Sequence, residues 1–254
     1  MKNYFAFIHK ELLESLRTYK LLIMLIVFFV FGLISPLTAK LMPDLLSSFM
    51  PAGMTLTLNP PTAIDAWSQF FKNTSQMGLI LTLILFSGII STERSKGTLI
   101  NMLTKGLSRN TVIFSKFTAA AIIWTLSYGL SFLVSLGYTV YLFPQDKPEN
   151  LLFSVFCLWL FGLFLLSLLI LAGAMIRSTY GSLLLTGAAV VLLMAANLIP
   201  DFQKYNPFSL AAQNVPLLTG SVKTVELFPA APITLLCTII FIAGAAAAFS
   251  RAEL

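Results

Sequence analysis

The sequence predicts an all-α protein that crosses a membrane six times, and three observations carry this. Of its 254 residues, 57% are hydrophobic and only 10% charged, less than half the roughly 25% of charged residues in a soluble domain. Phe alone occurs 22 times, more apolar surface than a water-soluble globule can hide behind a wetted exterior. The apolar residues also gather into six runs, each near the roughly 20 residues that a helix needs to cross the hydrocarbon core.

The elements follow in order along the chain. Residues 3–20 place Phe5, Ile8, Leu12, Leu16 and Tyr19 at spacings of three and four, while Lys10, Glu11, Glu14 and Arg17 lie largely elsewhere on the helix. That periodicity predicts an amphipathic helix lying in the membrane interface with its apolar face down. Such a helix serves equally as a lateral elbow that docks a cytoplasmic partner or as a simple anchor. It is also unlike a cleavable signal peptide, in which an apolar stretch follows a short basic start. The spans are then read over about 21–39, 70–91, 117–143, 151–176, 181–199 and 230–250, all within one transmembrane domain. The second is strongest from Met77, and from there its core, like the other five spans, holds no Asp, Glu, Lys or Arg. A charge at mid-helix would cost roughly 2.5–3.5 kcal/mol on insertion.

Orientation comes from the cations. With the N-terminus inside, 11 of the 16 Lys and Arg residues fall on the inner side, as the positive-inside rule requires. Both termini are therefore expected in the cytoplasm, in the inner membrane of a bacterium. The net charge of +6 reads as a topology signal, since these cations occupy separate short loops; no nucleic-acid partner is expected, only membrane lipid and protein. Two outer connections, 40–69 and 200–229, are rich in proline. Within the second, residues 206–218 are moderately apolar but too short to span, as in a re-entrant or interfacial helix.

The inner loop 91–116 is the most patterned. Glu93, Arg94 and Lys96 stand where the second span leaves the membrane, Gly97 allows a sharp turn, and Leu99, Ile100, Met102 and Leu103 make an apolar patch. Ser108 or Asn110 can N-cap the third span. By pattern alone this is either a short amphipathic helix across the cytoplasmic face or a polar turn carrying ordinary topology charges.

On these residues the chain resembles the ABC-2 type transporter permeases. Glu93, Gly97-Thr98, the Leu103 region, Leu107-Ser108-Arg109 and Lys116 are similar to that family's E-x-x-x-G-T…L-L-x-x-P-x-S-R…G-K loop. Lys10-Glu11-Leu12 with Arg17 and Lys20 is similar to its N-terminal elbow, and Asn206-Pro207-Phe208 to its asparagine-proline. Gly106 replaces the usual proline, and Ser115 the glycine before the lysine. The resemblance implies a type V exporter-like permease fold in which loop 92–110 acts as a coupling helix seated in a cleft of a separate ATPase. Glu93, Arg94, Gly97, Thr98, Leu103, Ser108 and Arg109 would form or support that contact, and Lys10, Glu11 and Arg17 would flank it from the elbow. It also implies two copies of the ATPase, a second permease subunit, identical or homologous, and re-entrant helices between the last two spans.

The chemistry that is missing agrees. A phosphate-binding loop needs Gly-Lys within G-x-x-x-x-G-K-[ST], and Gly-Lys occurs nowhere in the chain. ATP and its magnesium would therefore belong to the partner, and no cofactor or metal is expected here. His9 is the single histidine, and Cys157 and Cys237 lie in apolar runs, so metal or triad chemistry has little to build on. No catalytic residue is assigned. Three rival readings remain: an intramembrane enzyme, which the absence of Asp, Glu and His from the span cores disfavours; a secondary transporter or channel, with Asn197, Thr186 and the Ser and Tyr residues of the third span along a polar path; and a non-transporting scaffold. Gly162, Gly173 and Gly187 are read as sites of close helix packing. The uncharged spans favour an apolar or amphipathic cargo.

Overall fold

The computed structural model describes residues 2–48, 60–95, 108–176 and 178–251. Among these residues the protein is helical, with no strand. Helix α1 (Lys2–Arg17) is separated from α2 (Lys20–Ser48) by a turn at Thr18 and Tyr19, where Tyr19 takes a φ of 60°. Next come α3 (Ala63–Asn73), a π-helical turn over Thr74–Gly78, α4 (Leu79–Phe86) and α5 (Ser91–Ser95). Helices α6 (Arg109–Leu142), α7 (Leu151–Met175) and α8 (Thr179–Ala196) precede four short helices: α9 (Pro200–Gln203), α10 (Ser209–Ala212), α11 (Asn214–Leu218) and α12 (Thr224–Leu227). Helix α13 (Ala230–Arg251) closes the described chain. Six stretches are long and apolar enough to cross a membrane: Lys20–Pro43, Ala63–Glu93, Arg109–Leu142, Leu151–Met175, Thr179–Ala196 and Thr224–Ser250.

The helices outrun the apolar cores that hydropathy delimits. At roughly 1.5 Å per residue, the 34 residues of α6 extend about 51 Å, against a hydrocarbon core of roughly 30 Å. The extra turns carry charge, so Lys40, Lys72, Glu93 and Lys116 all lie on helices rather than in loops. The second spanning stretch begins at Ala63, not Phe70, because its start is fully capped. Thr62 and Asp65 form a capping box, and the Ala63 N–H donates to Asp146 Oδ2 at 3.0 Å. Helix α2 likewise runs on through Pro36 and Pro43 into what reads as an outer loop. Proline is tolerated in membrane helices; just before Pro36, the Ser35 hydroxyl donates to the Phe31 carbonyl of the same helix at 2.6 Å.

Helix α7 is the most buried of the six spans and α8 the least. The centre is aromatic: Trp124 stacks on Tyr128 with centroids 5.2 Å apart and takes the edge of Phe28 at 5.6 Å. The Trp124 indole N–H donates to the Trp159 carbonyl at 3.1 Å. Gly162 is what lets α7 approach, since a Cβ there would collide with the Trp124 ring. Gly32 does the same for α2 and α6, where a Cβ would meet the Ser131 carbonyl oxygen at 2.6 Å. Gly173 is in ordinary contact with Ile90, whereas Gly187 has nothing within 4 Å; of the three glycines expected at packing sites, Gly187 faces open space.

The buried hydroxyls of the third span, Ser127, Ser131, Ser135 and Thr139, have no hydrogen-bond partner among the described residues. Ser127, Ser131, Ser135 and Thr139 recur every fourth residue of α6 and are buried, with Ser131 against Gly32 of α2. The Thr186 hydroxyl donates to the Ser182 carbonyl within its own helix.

Candidate functional site

Five ionisable side chains from three segments converge beside the inner loop. The second half of α1 supplies Lys10, Glu11 and Glu14. Glu93 comes from α5, at the near stem of loop 96–107, and Lys116 from the second turn of α6, beyond its far stem. The Lys116 ammonium is 3.0 Å from both Glu11 oxygens and 2.8 Å from Glu93 Oε2. Lys10 closes the cluster at 2.9 Å from Glu11 Oε1, 2.6 Å from Glu14 Oε2 and 2.8 Å from Glu93 Oε1. Lys116 is only 1% exposed, with Glu11 and Glu93 also buried, so these are not screened surface pairs. A cavity of about 600 Å³ opens beside the cluster, with Lys20 and Thr92 in its wall.

Local sequence explains how the groups meet. Tyr4, Phe7 and Ile8 turn one face of α1 toward α6, with the Tyr4 hydroxyl 2.7 Å from that of Thr118, and Glu11 continues that face inward. The periodicity of residues 3–20 puts Glu11 on the outer, polar side; the structure buries it, because Lys116 supplies a countercharge that no local pattern can reveal. The apolar residues Phe5, Leu13, Leu16 and Tyr19 remain exposed, as on an interfacial helix.

Helix α5 is held in place by a break in the second span. The chain turns at Ser87–Ile90, and the Ser87 carbonyl freed there accepts the Ser182 hydroxyl at 3.1 Å. Ser91 and Thr179 pair through their hydroxyls at 2.8 Å, fixing α5 to the start of α8. Burial pulls the Lys10 ammonium down, but hydrogen bonds to Glu14 and Glu93 and the charge of Glu11 outweigh it and raise Lys10 above its ordinary 10.5. A raised folded value means that its stabilising contribution is complete below the ordinary value and lost only as pH climbs through the folded one. Lys10 therefore stays charged across the neutral range.

The other residues singled out in the loop take defined places. Ser108 caps α6, accepting the Thr111 N–H at 3.2 Å. Arg109 donates to the Phe249 and Ser250 carbonyls at 3.0 and 2.8 Å, setting a guanidinium on the negative end of α13. Arg17 lies in the last turn of α1, where a cation is also favoured. Arg94 belongs to α5. Gly97, Thr98 and Leu103 lie outside the described residues. Two residues of the cluster are missing from the sequence-derived set: Glu14, and Lys116, which enters the sequence reading only as the end of the loop motif. The signal available was a lysine seven residues into a helix, on the same face as Val112, Ile113 and Ala119.

The stems of the loop are thus tied to α1 by Glu93 and Lys116 and to α13 by Arg109. Residues 5–254 match the family model described as "ABC-2 family transporter protein". The chain belongs to this family. An ABC-2 permease is a multi-pass transmembrane component of an ABC transporter, is not itself a catalytic subunit, and generally pairs with ATPase subunits. This permease is also similar to the uncharacterized transmembrane protein YxlG of Bacillus subtilis (strain 168), with 23% identity over 219 residues and 84% of each chain covered.

At the far end of the permease, Asn206 ties the segment between the last two spans to α8. Its amide donates to the Leu193 carbonyl at 2.7 Å and to Asn197 Oδ1 at 3.3 Å, and its oxygen accepts the Phe208 N–H at 3.0 Å. Asn197 also accepts the Ser209 hydroxyl. Both asparagines therefore satisfy one another and the end of α8. Asn206→Leu removes the second donor to the Leu193 carbonyl, which keeps the Asn197 N–H, and the acceptor of the half-buried Phe208 N–H, and should cost about 1 kcal/mol, read as a lower midpoint of thermal unfolding in detergent.

Proposed function

We propose that this permease exports a substrate across the cytoplasmic membrane of a bacterium, with both termini in the cytoplasm, driven by two copies of a separate ATPase that dock beneath loop 92–110. The observation that carries this is the anchoring of both loop stems: Glu93 and Lys116 bind α1, and Arg109 binds the end of α13. A displacement of the loop would then pull on α1 and α13 at once. ATP and magnesium act on the partner: closing of the ATPases pushes the loop, and the anchored stems pass the push to the second and third spans. A second permease subunit, identical or homologous, completes the path. The uncharged span cores fit an apolar or amphipathic cargo better than an ion.

The clean test is made in the loop and not in the charge cluster, because Glu93→Ala would disturb the fold as well as the contact. Leu103→Asp should leave membrane insertion and thermal stability unchanged while lowering recovery of the ATPase with the tagged permease by about tenfold, the equivalent of 1.4 kcal/mol of lost contact. Unchanged recovery and unchanged transport would remove the loop from the coupling role.

A further inference from the structure

The last part of α6 buries only hydroxyl residues. From Gly129 to Leu142 its buried positions are Ser131, Ser135 and Thr139, and Ser127 extends the line toward the start of the helix at the same spacing of four. All four oxygens are closed off from water and have no partner among the described residues. By contrast, the buried hydroxyls of Thr82, Ser167, Thr186, Thr234 and Thr238 each donate back to a carbonyl three or four residues earlier, the usual way for a helix to satisfy such a group.

Helix α2 covers this line with small residues. Gly32, Ser35 and Ala39 are buried and, at spacings of three and four, share one face. Small residues bring two backbones close and leave no long side chains interlocked at these positions. Both helices are also tied to the charge cluster at one end. Helix α2 follows α1 after the turn at Thr18 and Tyr19, and α6 carries Lys116, which holds Glu11 of α1. An unpartnered buried hydroxyl destabilises the form that buries it, whereas Ala or Val would fill nearly the same space without that loss. Four in one line point to a second arrangement in which they are satisfied. Successive hydroxyls stand about 6 Å apart along the axis, close to two hydrogen bonds of about 2.8 Å laid end to end. One water bridges each neighbouring pair once the helices part, and an acyl chain bridges none.

We propose that the contact between α2 and α6 is a gate, closed and dry in the form described here, that parts to admit a file of water along Ser127, Ser131, Ser135 and Thr139. The inference needs α2 and α6 to cross a bilayer and stands whether or not loop 92–110 couples to an ATPase. The test is labelling of the full chain with a membrane-impermeant methanethiosulfonate, in intact cells and in inverted membrane vesicles. Each variant is read against the background of Cys157 and Cys237 in the wild type. Leu126→Cys is the control, at the depth of Ser127 but exposed on the helix surface. A thiol reacts as its thiolate, which forms in water and not in hydrocarbon, so Ser127→Cys and Ser135→Cys should label on the order of tenfold faster than Leu126→Cys from at least one side. No labelling of either from both sides would overturn the proposal. So would equal labelling of Leu126→Cys, because access would then be general and not confined to the hydroxyl line. A second arm does not use cysteine. Ser131→Ala combined with Ser135→Ala should keep or raise the midpoint of thermal unfolding in detergent, since the oxygens removed have no partner to lose. A lower midpoint would mean that the hydroxyls are bonded in the closed form, and the case for a second arrangement would fall.

Discussion

Replacing Lys116 with Met should destabilise the protein by about 3–5 kcal/mol, the cost of removing one partner from a buried ion pair. Lys116 is the deepest charge of the cluster, and its ammonium touches both Glu11 and Glu93. Without it, two buried carboxylates face each other with only Lys10 between them. Met replaces the four-atom apolar stem of Lys and omits the ammonium, so the loss would be chiefly electrostatic and not a cavity effect. The sign of the cause is checked by a second change. Lys116→Met combined with Glu11→Gln removes one charge of each sign and should be more stable than Lys116→Met alone, because a neutral pair in a buried site avoids an uncompensated ion. Thermal unfolding in detergent reads both variants. A double variant no better than the single would mean that Lys116 acts through packing and not through charge.

Gly162→Leu should be about as damaging, and for an unrelated reason. A Cβ on Gly162 already collides with the indole of Trp124, and that indole cannot easily withdraw. It is stacked on Tyr128, met by the edge of Phe28, and bound through its N–H to the Trp159 carbonyl. Close-packed interiors transmit such strain. Overpacking by one or more methylenes costs roughly 1–3 kcal/mol, and Leu adds four carbons, so at least the upper end is expected. Gly187→Ala is the control. That position meets open space, so its unfolding midpoint should stay within about 1 kcal/mol of wild type or rise slightly with the better helix propensity. Equal losses at Gly162 and Gly187 would contradict the packing account.

The spans were legible because hydropathy depends on the local chain alone, and a bilayer imposes one length on every crossing helix. The limits of the helices were less legible. Pro43 and the polar residues around it suggest a loop, yet α2 continues through them, and α3 starts early because Asp146, far along the chain, accepts the Ala63 N–H. Of the residues in the loop motif, Glu93, Ser108 and Arg109 all hold the stems of the loop. Periodicity failed at Glu11. A carboxylate is assigned to water unless its partner is known, and Lys116 lies 105 residues away. The same distance problem hid the bond from Arg109 to the Phe249 carbonyl, across 140 residues. Tertiary charge pairing has no local period, so no window along the sequence reports it.

The central claim is that a separate ATPase drives this permease through its anchored inner loop. The most direct measurement is a pull-down of the tagged full chain from detergent-solubilised native membrane, followed by mass spectrometry and an ATPase assay on the eluate. The account predicts a stoichiometric ATP-binding partner and measurable hydrolysis, both lowered about tenfold by Leu103→Asp. A chain that purifies alone and hydrolyses nothing would contradict it.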